Sequence, residues 1–243
     1  MSPASARPPV LHWLDLARAG NFPSVASNVV AALVLSAGES SLDPRRVAGA
    51  LLAGALAYAG GATLNDVADA AFDARHRPER AIPRGAVARR GAALGGAGEL
   101  LAGAALLVAL GAHWGGAAGL VALIVLYNWL HKRWAGAVGL IAGCRAVLAL
   151  TVATLPGHHL APALLIWVAV LWFYIVALSV LARREYIPGA PAMRLGGAVR
   201  WLLACIPLVD AVALAAVGAL PWALACAAML PLGRAAQRLL AAD

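Results

Sequence analysis

Asp66, Asp69 and Asp73 stand at the end of an apolar run that closes with Gly60-Gly-Ala-Thr-Leu64. On a helix turning about 100° per residue the three positions fall within roughly 60° of one another, with Asn65 beside the stripe. Carboxylates crowded on one face at the edge of lipid repel each other unless a cation sits among them. Their hard oxygens suit Mg²⁺, which takes one or two carboxylates together with water and substrate phosphate oxygens. Arginines follow at once, at positions 75, 77, 80, 84, 89 and 90. Acid-bound metal beside clustered guanidinium groups is the chemistry that holds a diphosphate, because both share its charge. The plainer alternative is a solvated acidic helix end paired with those arginines. Against it, the chain has only 11 acidic residues, and three of them are gathered here.

The elements that carry this stripe follow from composition. Hydrophobic residues make up 63% of the 243 and charged residues only 12%, about half the charged share of an average soluble domain. Apolar stretches recur at roughly the 20 residues needed to cross a bilayer. Only helices and closed barrels satisfy their backbone groups in lipid, and these stretches lack the alternation of a barrel strand. The expected fold is therefore all-α, a polytopic bundle of eight transmembrane helices. Hydrophobic periodicity places them at about 22–37, 47–66, 91–111, 115–131, 136–155, 160–182, 197–218 and 220–239. Pro156, Pro188, Pro191 and Pro221 punctuate the connections, and Pro207 is expected to kink the seventh helix. No stretch near the start reads as a cleavable signal peptide. Cys144, Cys205 and Cys226 fall in apolar runs, where they read as small buried hydrophobes.

On this map sixteen of the 19 basic residues fall on one side of the membrane; Arg45 and Arg46 fall on the other, and Arg145 lies within the fifth span. The positive-inside rule then makes both termini and the Asp-rich site cytoplasmic, in an inner or plasma membrane. Because the net charge of +8 sits in loops between apolar helices, it points to lipid head groups or a phosphorylated substrate and not to nucleic acid. No polar stretch is long enough to form a second domain, so residues 1–243 are expected to form one.

The combination Asn65-Asp66-x-x-Asp69-x-x-x-Asp73, Arg77-Pro-x-Arg80-x-Ile-Pro-x-Gly85 and Tyr127-Asn-Trp-Leu-His-Lys132-Arg133 resembles the UbiA-type membrane prenyltransferase superfamily across roughly residues 18–190. That resemblance implies a bundle of eight or nine helices that ionises a prenyl diphosphate with Mg²⁺ and passes the allyl cation to an acceptor. Arg18-x-x-Asn21-x-Pro23, Cys144-Arg145 and Ala182-Arg-Arg-Glu185 look most like its EboC-like branch. The family's second Asp-rich motif, after the sixth span, is replaced here by Leu181-Ala-Arg-Arg-Glu-Tyr186. A second Mg²⁺ then lacks its carboxylates, and Arg183 or Arg184 would meet the diphosphate directly.

The candidate site is accordingly Asp66, Asp69 and Asp73 as metal ligands and catalytic groups. The substrate-binding set is Asn65, Arg18, Arg77, Arg80, Lys132, Arg133, Arg145, Arg183, Arg184 and Glu185. The expected partners are a prenyl diphosphate, an acceptor of unassigned class and membrane lipids. Arg145, a charge at mid-span, reads either as a contact for an anionic ligand or as a structural partner of Glu99 or Asp210. Two other functions compete. A CDP-alcohol phosphotransferase requires a D-G-x-x-A-R run, which this sequence lacks. A non-catalytic or transport protein on the same scaffold is favoured by the missing second motif and opposed by the intact first one.

Overall fold

A computed structural model of the chain describes residues 8–38, 42–184 and 192–240, with side chains from position 196 in the last stretch. Its described residues form α-helices and one short 3₁₀ turn, without a strand. In chain order these are α1 (Pro9–Leu16), the 3₁₀ turn Ala19–Asn21, α2 (Phe22–Ala37), α3 (Pro44–His76), α4 (Arg89–Ala109), α5 (Trp114–Leu130), α6 (Ala137–Val152), α7 (Pro162–Arg183), α8 (Ala192–Ala216) and α9 (Leu220–Leu239). The eight expected spans coincide with α2 to α9. Among the described residues five segments are long and apolar enough to cross a bilayer: Ala19–Ala37, α3, α4, α7 and Gly196–Ala216 of α8. Helices α5 and α6 are apolar but shorter, at 17 and 16 residues. The chain is an integral membrane protein.

Helix α2 carries Pro23 in its first turn, which the fixed φ of proline suits, and stops at Gly38, where φ is +78°. Its Val, Ala and Leu residues cover every side, and a helix apolar all round belongs in the interior. It packs against α3, α6, α7, α8 and α9, which makes it the central post of the bundle.

Helix α3 is capped by Asp43, whose carboxylate accepts from the Arg45 amide at 3.0 Å, and it begins on Pro44. At 33 residues it is about 50 Å long, well beyond the roughly 30 Å of hydrocarbon it crosses. The span expected at about 47–66 is its apolar part; the helix continues almost three more turns to His76 and carries the carboxylates, as their helical spacing predicts, on rigid backbone past the lipid. It ends before Pro78, as the restriction on pre-proline residues requires. Helix α4 lies directly against it: a methyl group at Gly60 would meet the Gly96 carbonyl oxygen at 2.5 Å, and one at Gly103 would meet the Ala53 oxygen at 2.7 Å. Small residues here let two backbones touch.

Helix α1, with eight residues, is too short to cross the membrane. It packs on α3 and the 3₁₀ turn, and His12 lies 2.8 Å from the Arg84 guanidinium. Leu16 joins Ala81, Val87 and Ala92 in a small apolar cluster that fastens the α3–α4 loop to α1. Helix α8 runs through Pro207 as a single helix.

Candidate active site

All three carboxylates at the end of α3 are buried, with Asp73 only 2% exposed. Buried charge of one sign demands partners, and each has them. Asp66 Oδ1 accepts from Arg18 Nη2 at 2.8 Å and from Arg80 Nη1 at 3.2 Å. The same Arg80 nitrogen reaches Asp73 Oδ2 at 3.1 Å, so one guanidinium bridges two acids. Burial first, and then the neighbouring Arg18, push the Arg80 guanidinium down from its ordinary value, against the pull of Asp66. Arg18 hangs from the turn between α1 and α2 with φ +50° and ψ 42°, a left-handed backbone that a non-glycine residue adopts only when its surroundings hold it there.

Asp69 faces the other way, toward α5. Its Oδ1 receives His131 Nε2 at 3.0 Å and Lys132 Nζ at 3.0 Å. His131 Nδ1 lies 3.1 Å from the Asn128 carbonyl, so both ring nitrogens face acceptors and both donate only in the imidazolium form. Asn128 binds α3 twice, accepting from Asn65 Nδ2 and donating to the Gly61 carbonyl, each at 3.2 Å. Lys132 Nζ also sits 3.4 Å above the Phe72 ring. Sequence reasoning passed over His131 and Asn128. Their signal was the spacing of 124, 128 and 131 on one face of α5, running into the basic end that had been noticed.

The remaining expected residues divide. Arg77 and Arg183 line the cavity below the carboxylates. Arg183 also donates to the carbonyls of His131 at 2.9 Å and Ala135 at 3.0 Å, which ties the end of α7 to the α5–α6 loop. Arg133 turns outward, its guanidinium 5.9 Å from the Trp129 ring, and Arg184 is exposed at the end of α7. Glu185 lies outside the described residues.

Beneath this polar mouth a cavity of about 710 Å³ opens between α2, α3, α5, α6, α7 and α8. Its inner walls are aliphatic, with Leu120, Ile124, Leu148, Ile175, Leu203 and Ile206 among them. Trp167, Trp172 and Tyr174 stay out of it and tie helices together instead, donating to Asp210, the Gly139 carbonyl and the Leu202 carbonyl. Arg145 is on the cavity wall. It pairs directly with neither Glu99 nor Asp210: Nη1 donates to the Ser24 carbonyl at 3.0 Å and to Asn28 Oδ1 at 2.6 Å, and Nη2 donates to Ser24 Oγ at 3.0 Å. Asn28 passes the contact on to both oxygens of Asp210, at 3.0 and 2.8 Å.

Among the described residues no three acidic, His or Cys side chains already converge on a point as metal ligands. Nitrogen cations occupy the neighbourhood of each carboxylate instead. The donor set nevertheless fits Mg²⁺, which needs only a few protein carboxylates and completes its shell with phosphate oxygens. The same arginines and lysine that cover the acids are the groups a diphosphate would draw to itself.

Comparison with known proteins agrees with this fold. The model of the UbiA prenyltransferase family matches residues 25–243. Over 80 residues the chain is 41% identical to the digeranylgeranylglyceryl phosphate synthase of Haloquadratum walsbyi (strain DSM 16790 / HBSQ001), a match covering 32% of this chain and 27% of that relative's length. A solved structure of a digeranylgeranylglyceryl phosphate synthase in membranes shares the fold, with a TM-score of 0.63 at 15% identity over 95% of this chain and 91% of that one. A membrane helix bundle with an acidic stripe at one mouth, matched by a family model along nine-tenths of its length, leads to one assignment: the chain belongs to the UbiA prenyltransferase family.

Proposed function

We propose that the protein is a Mg²⁺-dependent membrane prenyltransferase, which ionises a prenyl diphosphate and transfers the prenyl group to an acceptor. The observation that carries this reading is the placement of three buried carboxylates, ringed by cations, at the mouth of an aliphatic cavity in the membrane. Bound through Asp66, Asp69 and Asp73, Mg²⁺ supplies neutralisation of the diphosphate that makes it a better leaving group.

The chain's own residues supply the rest. Arg18, Arg80 and Lys132, drawn from three different segments, turn from the carboxylates toward the phosphate oxygens, and Arg77 joins them from the cavity wall. Asn65, held by Asn128, orients the head group. The C–O bond breaks with its electron pair leaving on diphosphate, and the aliphatic walls keep water from the allyl cation until the acceptor attacks. On the Lys and Arg distribution, this mouth and both termini face the cytoplasm, the side where phosphorylated substrates are soluble. The named relative's product carries prenyl chains on a glyceryl phosphate, so a lipid phosphate is the first acceptor class to try.

Purified protein in lipid nanodiscs, given geranylgeranyl diphosphate and Mg²⁺, should release diphosphate. Asp69→Ala should lower that turnover at least about a hundredfold, as loss of transition-state electrostatics does. Unchanged turnover in the variant would sink the assignment. A carrier that binds a diphosphate without ionising it is the second reading. It is favoured by Arg183, which spends donors on loop carbonyls at the place where the family's second acidic motif would stand. Saturable pyrophosphate binding with no turnover in the wild-type protein would select it.

A further inference from the structure

Helices α8 and α9 carry four arginines, Arg194, Arg200, Arg234 and Arg238, against a single acid, Asp210. That acid is fully buried and bonded to Asn28 and Trp167, so it pairs with none of the four. Arg234 stands near the end of α9, with its guanidinium 4.0 Å from the ring centroid of Trp201 on α8. Arg238, exposed, follows one turn and about 6 Å further along the same side of α9. Trp201 is exposed too, and Leu208 and Val212 recur exposed on its face of α8, further into the bundle. Lipid surrounds such a face. It offers cations and an indole at head-group level, with aliphatic side chains beneath them for acyl chains.

The Arg234 guanidinium is only partly used. Nη1 donates to Gln237 Oε1 at 3.0 Å, while Nε is enclosed and has no acceptor among the described residues. An enclosed N–H without an acceptor is unfavourable, and so is a cation at the edge of lipid without a counter-charge. One oxyanion answers both, because the guanidinium fork gives two parallel N–H bonds to a single phosphate. Arg238 adds a second positive charge one turn away. None of Arg234, Arg238 and Trp201 lines the cavity beneath the carboxylates. Gln237 nevertheless links them to it. Its Nε2 donates to Asn21 Oδ1 at 3.3 Å, and Asn21 Nδ2 donates to Tyr58 Oη at 3.0 Å, with Asn21 and Tyr58 both on the cavity wall.

We infer that Arg234, Arg238 and Trp201 form a binding site for the phosphate of an anionic phospholipid, on the lipid-facing flank of the α8–α9 pair. This lipid is a bound component of the bilayer and not a reactant, since the site lies outside the cavity. The exposed Trp201, Leu208 and Val212 select a lipid over a soluble phosphate, which would gain nothing from them. Through Gln237 and Asn21 the same contact holds α9 against the 3₁₀ turn that leads into α2.

The test is native mass spectrometry of the full chain in detergent with equal amounts of phosphatidylglycerol and phosphatidylcholine bearing the same acyl chains. The wild type should retain phosphatidylglycerol at least about fivefold in preference to phosphatidylcholine. Arg234→Gln combined with Arg238→Gln should bring that ratio to within about twofold of unity. Arg75→Gln combined with Arg90→Gln removes as much charge from exposed positions elsewhere and should leave the ratio unchanged. Should the first double variant fail to fold, Arg234→Lys, which keeps the charge and loses the fork, should still lower the ratio at least about twofold. Excess inorganic phosphate should leave the lipid bound. The site is overturned by a wild type without preference, by Arg234 variants that keep the wild-type ratio, by equal loss in the Arg75 and Arg90 pair, or by displacement with inorganic phosphate.

Discussion

Arg80 holds the oxygens that a metal ion at the carboxylates would need. Its Nη1 bridges Asp66 and Asp73, so a cation entering between those acids must displace it or share them. Two opposite effects should follow from Arg80→Ala. Mg²⁺ alone, titrated without phosphate, should bind at least tenfold more tightly, because a like charge has gone from the site. Turnover of prenyl diphosphate should nevertheless fall at least tenfold, because a group that meets the leaving diphosphate has gone too. Calorimetry for the first and diphosphate release for the second read the two separately, and weaker Mg²⁺ binding in the variant would show that Arg80 does not compete. At this scale the acids and most of their cations were legible in the sequence, because carboxylates at helical spacing beside arginines carry their chemistry in their types. His131, Asn128 and Tyr58 were not. A histidine or an asparagine in an apolar helix looks the same whether it points into lipid, into a neighbour or into a cavity, and only packing decides which.

Backbone contact between α3 and α4 holds the Asp-bearing helix in place. Gly60→Ala would set a methyl 2.5 Å from both the Gly96 carbonyl oxygen and the Leu100 nitrogen, atoms of a backbone that cannot swing aside. The expected cost is about 1–3 kcal/mol, the usual range for overpacking. In detergent that should lower the unfolding midpoint by roughly 3–10 °C. Gly98→Ala, on the same helix α4 with nothing near the added methyl, should leave the midpoint unchanged or raise it slightly. Equal loss in both variants would place the effect in helix propensity and not in the interface. Apolar runs and proline positions located α2 to α9 well, since span length is set by the bilayer. The helical spacing of the acids extended α3 beyond its apolar span, but its end at His76 was hidden, because its last turn is polar and resembles a loop. So was α1, whose eight residues are too few to show a period and which is held by contacts with a loop far along the chain.

For the molecule as a whole, the lopsided distribution of Lys and Arg makes a topological prediction. In a background with Cys144, Cys205 and Cys226 changed to Ser, His159→Cys should react with a membrane-impermeant maleimide on intact cells. Glu79→Cys should react only in inverted vesicles. Both positions are exposed, so burial does not decide the outcome. The reverse pattern would place the carboxylate mouth outside and separate it from cytoplasmic diphosphates.

The central post also has a history imposed on it by the order of synthesis. Asn28 of α2 donates to Asp210 of α8, 182 residues later in the chain. At about 5–20 residues per second, α2 leaves the ribosome roughly 10–40 s before that partner exists. During the interval the Asn28 side chain lacks its carboxylate partner, and the Arg145 that will join it must wait in the same condition for its counter-charge. Lipid is a poor place to wait. The helix made first among the spans is thus among the last to be finished, and the nascent bundle has to be sheltered by the insertion machinery, or close provisionally on itself, until α8 arrives.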